Sequence, residues 1–405
     1  MDSFAAFGTS TAIAQVVVMV YMIVLARYLG PDEYGIYVAS FSLASLTSIV
    51  FNLGLDTWLL REGALSDNLK LSAMNVLRIK TGLGLAWGVL TLLLAPRIRP
   101  DLFSYALLAV CLVDVWFDSV FNTLLGALNI KRRIKEYSLL MMFSRGSKLI
   151  SLLILIASNN RAILWIAGLR AVISLLSTLM AFVILKLDLH AGSKQDGVNI
   201  IKASKPYNLS TIFSVIYMQA DVNLISLIKG KTAAGFYSPA LSLINALFVI
   251  PNSVYTFSIP VLSRIYQEDV GKFFRSSRKL LVGIGLLGIA LFVVVGIFGD
   301  ELVRIFLGDP YETTGRLLVL LSPILLLKAF EFGNASIIVA LNKQKERLIP
   351  QVIAAVANVA LNLTFIPRFG VFGAAYAYVI SETVIFIGYG IIVFKYLRQL
   401  KQEHG

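Results

Sequence analysis

Twelve apolar runs of about 18 to 25 residues stand between polar breaks in this 405-residue sequence, and a run of about that length is what an α-helix needs to cross roughly 30 Å of hydrocarbon. They lie at 7–26, 36–60, 75–95, 102–126, 138–157, 162–185, 208–228, 236–259, 280–298, 317–341, 349–366 and 372–394. In lipid, backbone N–H and C=O groups must be satisfied internally, so such runs fold as spanning helices. The chain is 58% hydrophobic and only 15% charged, with a mean hydropathy of +0.80, which is more apolar surface than a soluble domain of this length buries. The expected fold class is therefore an all-α integral membrane protein with twelve transmembrane helices.

Basic residues are retained on the cytoplasmic side during insertion, so their distribution over the loops gives the orientation. The even connections and the tail hold 21 Lys and Arg residues, the odd connections nine, which predicts both termini in the cytoplasm of a cell-membrane protein. The first run, Phe7 to Ala26, has no basic region before it and is long enough to span, so a retained helix is expected in place of a cleavable signal. The net charge of +13 suits nucleic acid only if the basic residues share one soluble face, and here they alternate between loops. Cys111 is the only cysteine, which excludes an internal disulfide, and His190 and His404 lie in a loop and the tail. Neither metal nor cofactor chemistry is expected.

Residues 30–43 match the sequence two hundred positions later: Gly30, Gly35, Tyr37, Ser42 and Leu43 recur as Gly230, Gly235, Tyr237, Ser242 and Leu243. A repeat at this offset predicts two structurally equivalent halves, and duplicated helix bundles are a common way to build a central site that opens to alternate sides of a membrane. The predicted organisation is two pseudo-symmetric six-helix lobes, 1–190 and 208–405, joined by a polar cytoplasmic linker at 191–207. A second polar stretch, Leu262 to Lys279, interleaves Ile265, Val270, Phe273 and Phe274 with Arg264, Lys272, Arg275 and Arg278. It reads either as a helix lying on an anionic leaflet or as a solvated loop. Gly82, Gly84 and Gly88 predict a small-residue packing face on the third run.

Three segments carry a family resemblance. LARYLGPDEYGIYVAS at Leu25–Ser40 resembles the amino-terminal pattern of polysaccharide flippases, the Wzx-like O-antigen and repeat-unit exporters of the multidrug/oligosaccharidyl-lipid/polysaccharide exporter superfamily. DVNLISLIKGKTAAGFYSPA at Asp221–Ala240 is similar to that family's seventh and eighth helices, and FGVFGAAYAYVISE at Phe369–Glu382 to its closing helix. The resemblance implies a V-shaped pair of lobes that move a lipid-linked saccharide across the cytoplasmic membrane. It also implies partners such as a polysaccharide polymerase or chain-length regulator, and no catalysis.

Nine charged residues stand out near the middle of the runs: Asp114, Asp118, Arg145, Lys148, Arg170, Asp221, Lys328, Glu331 and Glu382. At roughly 2.5 to 3.5 kcal/mol each on insertion scales, unrelieved they would cost on the order of 25 kcal/mol, so they must meet one another, water or a substrate. Asp114 and Asp118 are i, i+4, and Arg145 and Lys148 are i, i+3, so each pair occupies one helix face. Two readings stay open. In one, Arg145, Lys148, Arg170 and Lys328 form a cationic lumen for the pyrophosphate of a polyprenyl carrier. In the other, Asp114 and Asp118 neutralise Arg145 and Lys148 as a structural cluster. Lys328 and Glu331 are expected to pair. Asp221 and Glu382, read as lone carboxylates, are candidates for coupling to a proton or sodium gradient.

Other signals fail on context. Gly283, Gly285 and Gly288 have dinucleotide-fingerprint spacing but lie inside a membrane run, and Gly230, Lys231 and Thr232 lack the upstream glycine of a phosphate-binding loop, Ile225 standing there. The leading expectation is a secondary flippase for a lipid-linked oligosaccharide. The alternatives are a multidrug cation antiporter, which prefers an acidic or neutral lumen, and a membrane glycan polymerase or ligase, which generally needs a larger external loop than Gly299–Arg316.

Overall fold

The computed structural model describes residues 2–61, 69–187, 199–204 and 220–404, and all regular structure among them is helical. In chain order the helices are α1 (Asp2–Asn52), α2 (Leu55–Arg61), α3 (Leu69–Ile98), α4 (Tyr105–Ile130), α5 (Ile134–Ala157), α6 (Ile163–Leu185), α7 (220–229), α8 (Lys231–Leu247), α9 (Val249–Glu268), α10 (Val270–Phe306), α11 (Glu312–Leu321), α12 (Pro323–Ala340), α13 (Leu348–Phe369) and α14 (Val371–His404).

Ten stretches among the described residues are long and apolar enough to cross a membrane, against twelve expected runs. The difference has two sources. The first two runs lie end to end in the 43-residue stretch Ser10–Asn52, and residues 208–219 of the seventh run lie outside the described residues. The stretch Ser10–Asn52 is not one uniform helix. Gly30 breaks it with φ 78° and ψ 169°, a conformation that side chains bearing a Cβ rarely adopt. Pro31 follows and has no N–H to continue the ladder. The linker expected at 191–207 lies outside the described residues except for 199–204, which are helical.

The chain divides into two compact units, Met1–Gly235 and Phe236–Gly405. In the first, α4 packs on α6, α3 and α1, and α1 on α5. One apolar cluster joins Leu55, Trp58 and Leu59 of α2 to Met74 and Leu77 of α3 and Phe121, Leu124 and Leu128 of α4. In the second, α12 packs on α9, α10 and α14, and α13 on α14. Small residues set the α10–α12 approach: a Cβ on Gly288 would lie 2.7 Å from the Ala329 Cβ, and one on Gly333 would lie 2.9 Å from Ile284. Gly285 and Gly288, two of the three glycines with fingerprint spacing, are thus helix-packing residues. On α3 the expected glycine face is reduced to Gly84, against Trp116, because Gly82 and Gly88 face open space.

The polar stretch 262–279 is neither a separate surface helix nor a loop. α9 and α10 meet there at Asp269, whose extended backbone (φ −156°) ends one helix and whose side chain caps the next by accepting from the Lys272 N–H at 2.9 Å.

Within the first unit, Gly30 and Gly230 of the repeat share a backbone conformation. Gly230 has φ 87°, matching the left-handed backbone of Gly30, and Tyr37 and Tyr237 are both fully buried. Gly35 packs against the Lys231 carbonyl and Gly235 against the Pro31 carbonyl, so close that a Cβ on either glycine would overlap it. Positions 31 and 231 are themselves related by the two-hundred-residue offset, so the contact is reciprocal. Thr232 donates to Asp32 across the same offset.

Gly35→Ala and Gly235→Ala are each expected to destabilise the full chain by about 1–3 kcal/mol through overpacking, and together by less than the sum because both press on one contact. Thermal melting monitored by fluorescence-detected size exclusion in detergent checks this. Gly82→Ala, with nothing within 4 Å of the new Cβ, is the expected neutral control.

Candidate functional site

α4 places Asp114 and Asp118 one turn apart, as their i, i+4 spacing requires, facing the basic residues of α5 and α6. Arg145 grips Asp118 with both terminal nitrogens, at 2.8 and 3.2 Å. Lys148 Nζ reaches Asp118 at 3.0 Å and Asp114 at 3.6 Å. Arg170 Nε donates to Asp114 at 2.7 Å, and the Ser174 hydroxyl donates to the other oxygen of that carboxylate at 2.5 Å. The Asp114, Lys148 and Arg170 side chains are 4%, 5% and 10% exposed, whereas Asp118 and Arg145 at 22% and 18% form the more open end.

α1 closes the cluster from a fourth direction. Tyr37, one of the repeated residues, accepts a hydrogen bond from Arg170 Nη1 at 2.9 Å. The guanidinium also lies 4.2 Å from the Phe41 ring centroid and 5.5 Å from that of Tyr21, within cation–π range. The five charged residues carry three positive charges and two negative ones. The pairing thus removes most of the burial penalty while leaving one cationic charge in excess inside the bundle.

A second buried network adjoins it, and the sequence reading overlooked it. Lys80 of α3, fully buried, bonds both oxygens of Asp56 at 2.8 Å and the Thr123 hydroxyl at 2.8 Å. Thr123 donates to Asp56 at 2.7 Å, and Ser119 donates to Asn52 at 2.7 Å. The signal was available, since Asp56 and Lys80 each sit inside an expected run, where an ionisable residue is a functional candidate by default. A cavity of about 180 Å³ borders both networks, lined by Asn52, Asp56 and Ser119 of one and Asp118 and Arg170 of the other, with Ser45, Ser48 and Asn122 adding to a mostly polar lining.

The remaining predicted residues fall elsewhere. Asp221 is buried in α7, beside Asn223, whose amide donates to the Ser42 hydroxyl at 2.8 Å. In the second unit Lys328 Nζ lies 2.8 Å from Glu331 and 2.9 Å from Glu382. Glu382, on α14, is therefore not the lone carboxylate that sequence spacing suggested. Its partner comes from α12, a helix more than forty residues away in sequence, which no local pattern reveals. Here two acids surround one base.

The family model described as "Polysaccharide biosynthesis protein" matches residues 24–315. Among curated proteins, the chain is similar to the "Probable flippase AglR" of Haloferax volcanii, at 27% identity over 183 residues, which is 44% of this chain and 38% of that one. It is also similar to the "Putative O-antigen transporter" of Shigella flexneri, at 26% over 168 residues, 41% of this chain and 40% of that one. The matched region thus spans about two-fifths of those relatives' length. Among solved structures, the chain superposes on "Lipid II flippase MurJ, inward closed conformation" with a TM-score of 0.78 at 15% identity, covering 97% of this chain and 89% of that one. It superposes on an inward-facing "multidrug resistance MATE family transporter of the MOP superfamily" with a TM-score of 0.73 at 16% identity, covering 97% and 100%. These likenesses establish a membrane-transporter fold.

Asp114→Asn leaves Arg170 and Lys148 short of a buried counter-charge and is expected to destabilise the chain by about 3–5 kcal/mol. Adding Lys148→Met returns the cluster to a single excess charge, so the double variant is expected to recover part of that loss. A melting comparison of wild type, single and double variants in detergent decides it.

Proposed function

We propose that this chain, which belongs to the polysaccharide biosynthesis protein family, is a flippase that carries a polyprenyl-pyrophosphate-linked oligosaccharide from the cytoplasmic to the outer leaflet of the cell membrane. The observation that carries this reading is the cluster of Arg145, Lys148 and Arg170, three bases held by two carboxylates beside a polar cavity among apolar helices. The names of the similar curated proteins, a flippase and an O-antigen transporter, support the same substrate class.

In this mechanism Asp114 and Asp118 hold the bases in place while the site is empty. The excess positive charge then favours an incoming diphosphate, and Arg145, at the open end of the cluster, offers it planar bidentate recognition. Because the carboxylates remain, anion binding is an exchange of partners, which keeps release accessible. The same excess disfavours cationic drugs as substrates, and the chemistry is translocation with the saccharide covalently unchanged. The full architecture we infer is twelve helices in two six-helix lobes, 1–190 and 208–405, with a linker at 191–207 and both termini cytoplasmic. The loop distribution of Lys and Arg supports that orientation.

Lys328 is the proposed contribution of the second lobe. Glu331 and Glu382 hold it now, and a proton or sodium ion taken up by these acids would loosen that hold and present Lys328 to the substrate anion. Asp221 is the second coupling candidate.

Translocation of a fluorescent pyrophosphate-linked oligosaccharide lipid in proteoliposomes tests the reading. Wild type is expected to flip it under an imposed proton or sodium gradient, and Arg145→Ala, Lys148→Ala and Arg170→Ala each to lose at least about tenfold in rate, in line with one charge-assisted hydrogen bond. No flipping under any gradient, with the protein folded, would sink the proposal. Glu382→Gln is expected to keep flipping while losing its dependence on the gradient. A retained dependence would remove Glu382 from the coupling role.

A further inference from the structure

The 37-residue α10 is about 55 Å long at ~1.5 Å per residue, against roughly 30 Å of hydrocarbon. Its uninterrupted apolar stretch is 280–298, so the turns bearing Arg275 and Arg278 stand outside the hydrocarbon, at the level of the lipid headgroups. Both side chains are exposed, and no ion pair among the described residues engages them.

Below these two arginines the outer face of α10 is a wall of an apolar groove of about 660 Å³, closed by Phe330 of α12 and Leu397 of α14. Val282, Leu286 and Ile289 line it at helical spacing and are 54%, 63% and 46% exposed. Gly285 makes the concavity possible, because a Cβ there would lie 2.6 Å from the Phe330 ring that forms the opposite wall. From Arg278 to Ile289 is eleven residues, or about 16 Å of helix rise, close to half the ~30 Å hydrocarbon thickness. The groove is one leaflet deep and cationic at its mouth.

We propose that this groove binds an anionic phospholipid of the leaflet in which α10 begins, its phosphate at Arg275 and Arg278 and one acyl chain along Val282, Leu286 and Ile289. Lipid tails contact every outward face of a membrane protein with little preference between protein and lipid surroundings. Selection therefore comes from the headgroup, where surface basic residues attract anionic lipid. The concave wall fixes the chain beneath it. This site is independent of the transported substrate.

Native mass spectrometry of the delipidated full chain, titrated with dioleoylphosphatidylglycerol or dioleoylphosphatidylcholine, is the test. We expect phosphatidylglycerol to bind roughly thirtyfold more tightly, the scale set by two basic residues at the surface. R275Q/R278Q should abolish the preference, R275K/R278K should keep most of it, and Leu286→Trp should weaken binding of both lipids. Equal binding of the two lipids by wild type overturns the proposal, as does a preference that survives R275Q/R278Q. If undecaprenyl phosphate displaces phosphatidylglycerol at this site with equal or greater affinity, the groove belongs to a polyprenyl tail and the phospholipid assignment fails.

Discussion

Asp114 accepts hydrogen bonds from Arg170 and Ser174 and lies within ion-pair distance of Lys148, and through these contacts α4, α5 and α6 are bound to one carboxylate. α1 joins through Tyr37, which takes a further hydrogen bond from Arg170. In water such pairs contribute little. Between apolar helices they are decisive, because each partner left alone would be an unpaired buried charge. The lipid itself supplies no hydrophobic force to hold helices together, so the polar network and the close glycine contacts determine which helices are neighbours. The cavity lies against this network, and polar side chains form most of its lining.

The glycine contact and the charge cluster meet at one segment. Gly35 sits where α1 presses against the Lys231 carbonyl, and two residues later Tyr37 reaches the Arg170 guanidinium. A change in the packing at Gly35 and Gly235 therefore acts on a helix that also touches the candidate binding cluster. On the proposed reading, this gives the repeated segment a direct mechanical route to the site, over a single half-turn of helix.

Much of this was legible in the sequence, because bilayer thickness translates directly into run length. The apolar runs mark the helices, and among the described residues the pair that merges is separated at Gly30, a residue the repeat already singled out. The i, i+4 and i, i+3 spacings of Asp114, Asp118, Arg145 and Lys148 gave the facing pairs, since one-turn periodicity is a local property. Partners contributed from distant helices were not legible. Nothing near Arg170 in sequence points to Asp114, fifty-six residues away, and nothing near Glu382 points to Lys328. Asp56 and Lys80 were missed for a different reason: each lies within five residues of the end of its run, where a charged side chain can reach the membrane surface, and only the structure shows Lys80 buried and paired with Asp56. The face expected of Gly82, Gly84 and Gly88 failed because a glycine pattern marks where a helix can be approached, while only the neighbour's bulk, here Trp116, decides where it is.

The two buried clusters are unbalanced in opposite senses. In the first, Arg145, Lys148 and Arg170 surround Asp114 and Asp118; in the second, Glu331 and Glu382 surround Lys328. A cluster rich in bases gains by admitting an anion, and one rich in acids gains by admitting a cation, because either event supplies buried groups with a counter-charge. On the proposed function these are the two species a coupled flippase must handle, the diphosphate of its substrate and the driving ion. The opposite imbalances would allow both occupancies without either site first meeting a charge of its own sign.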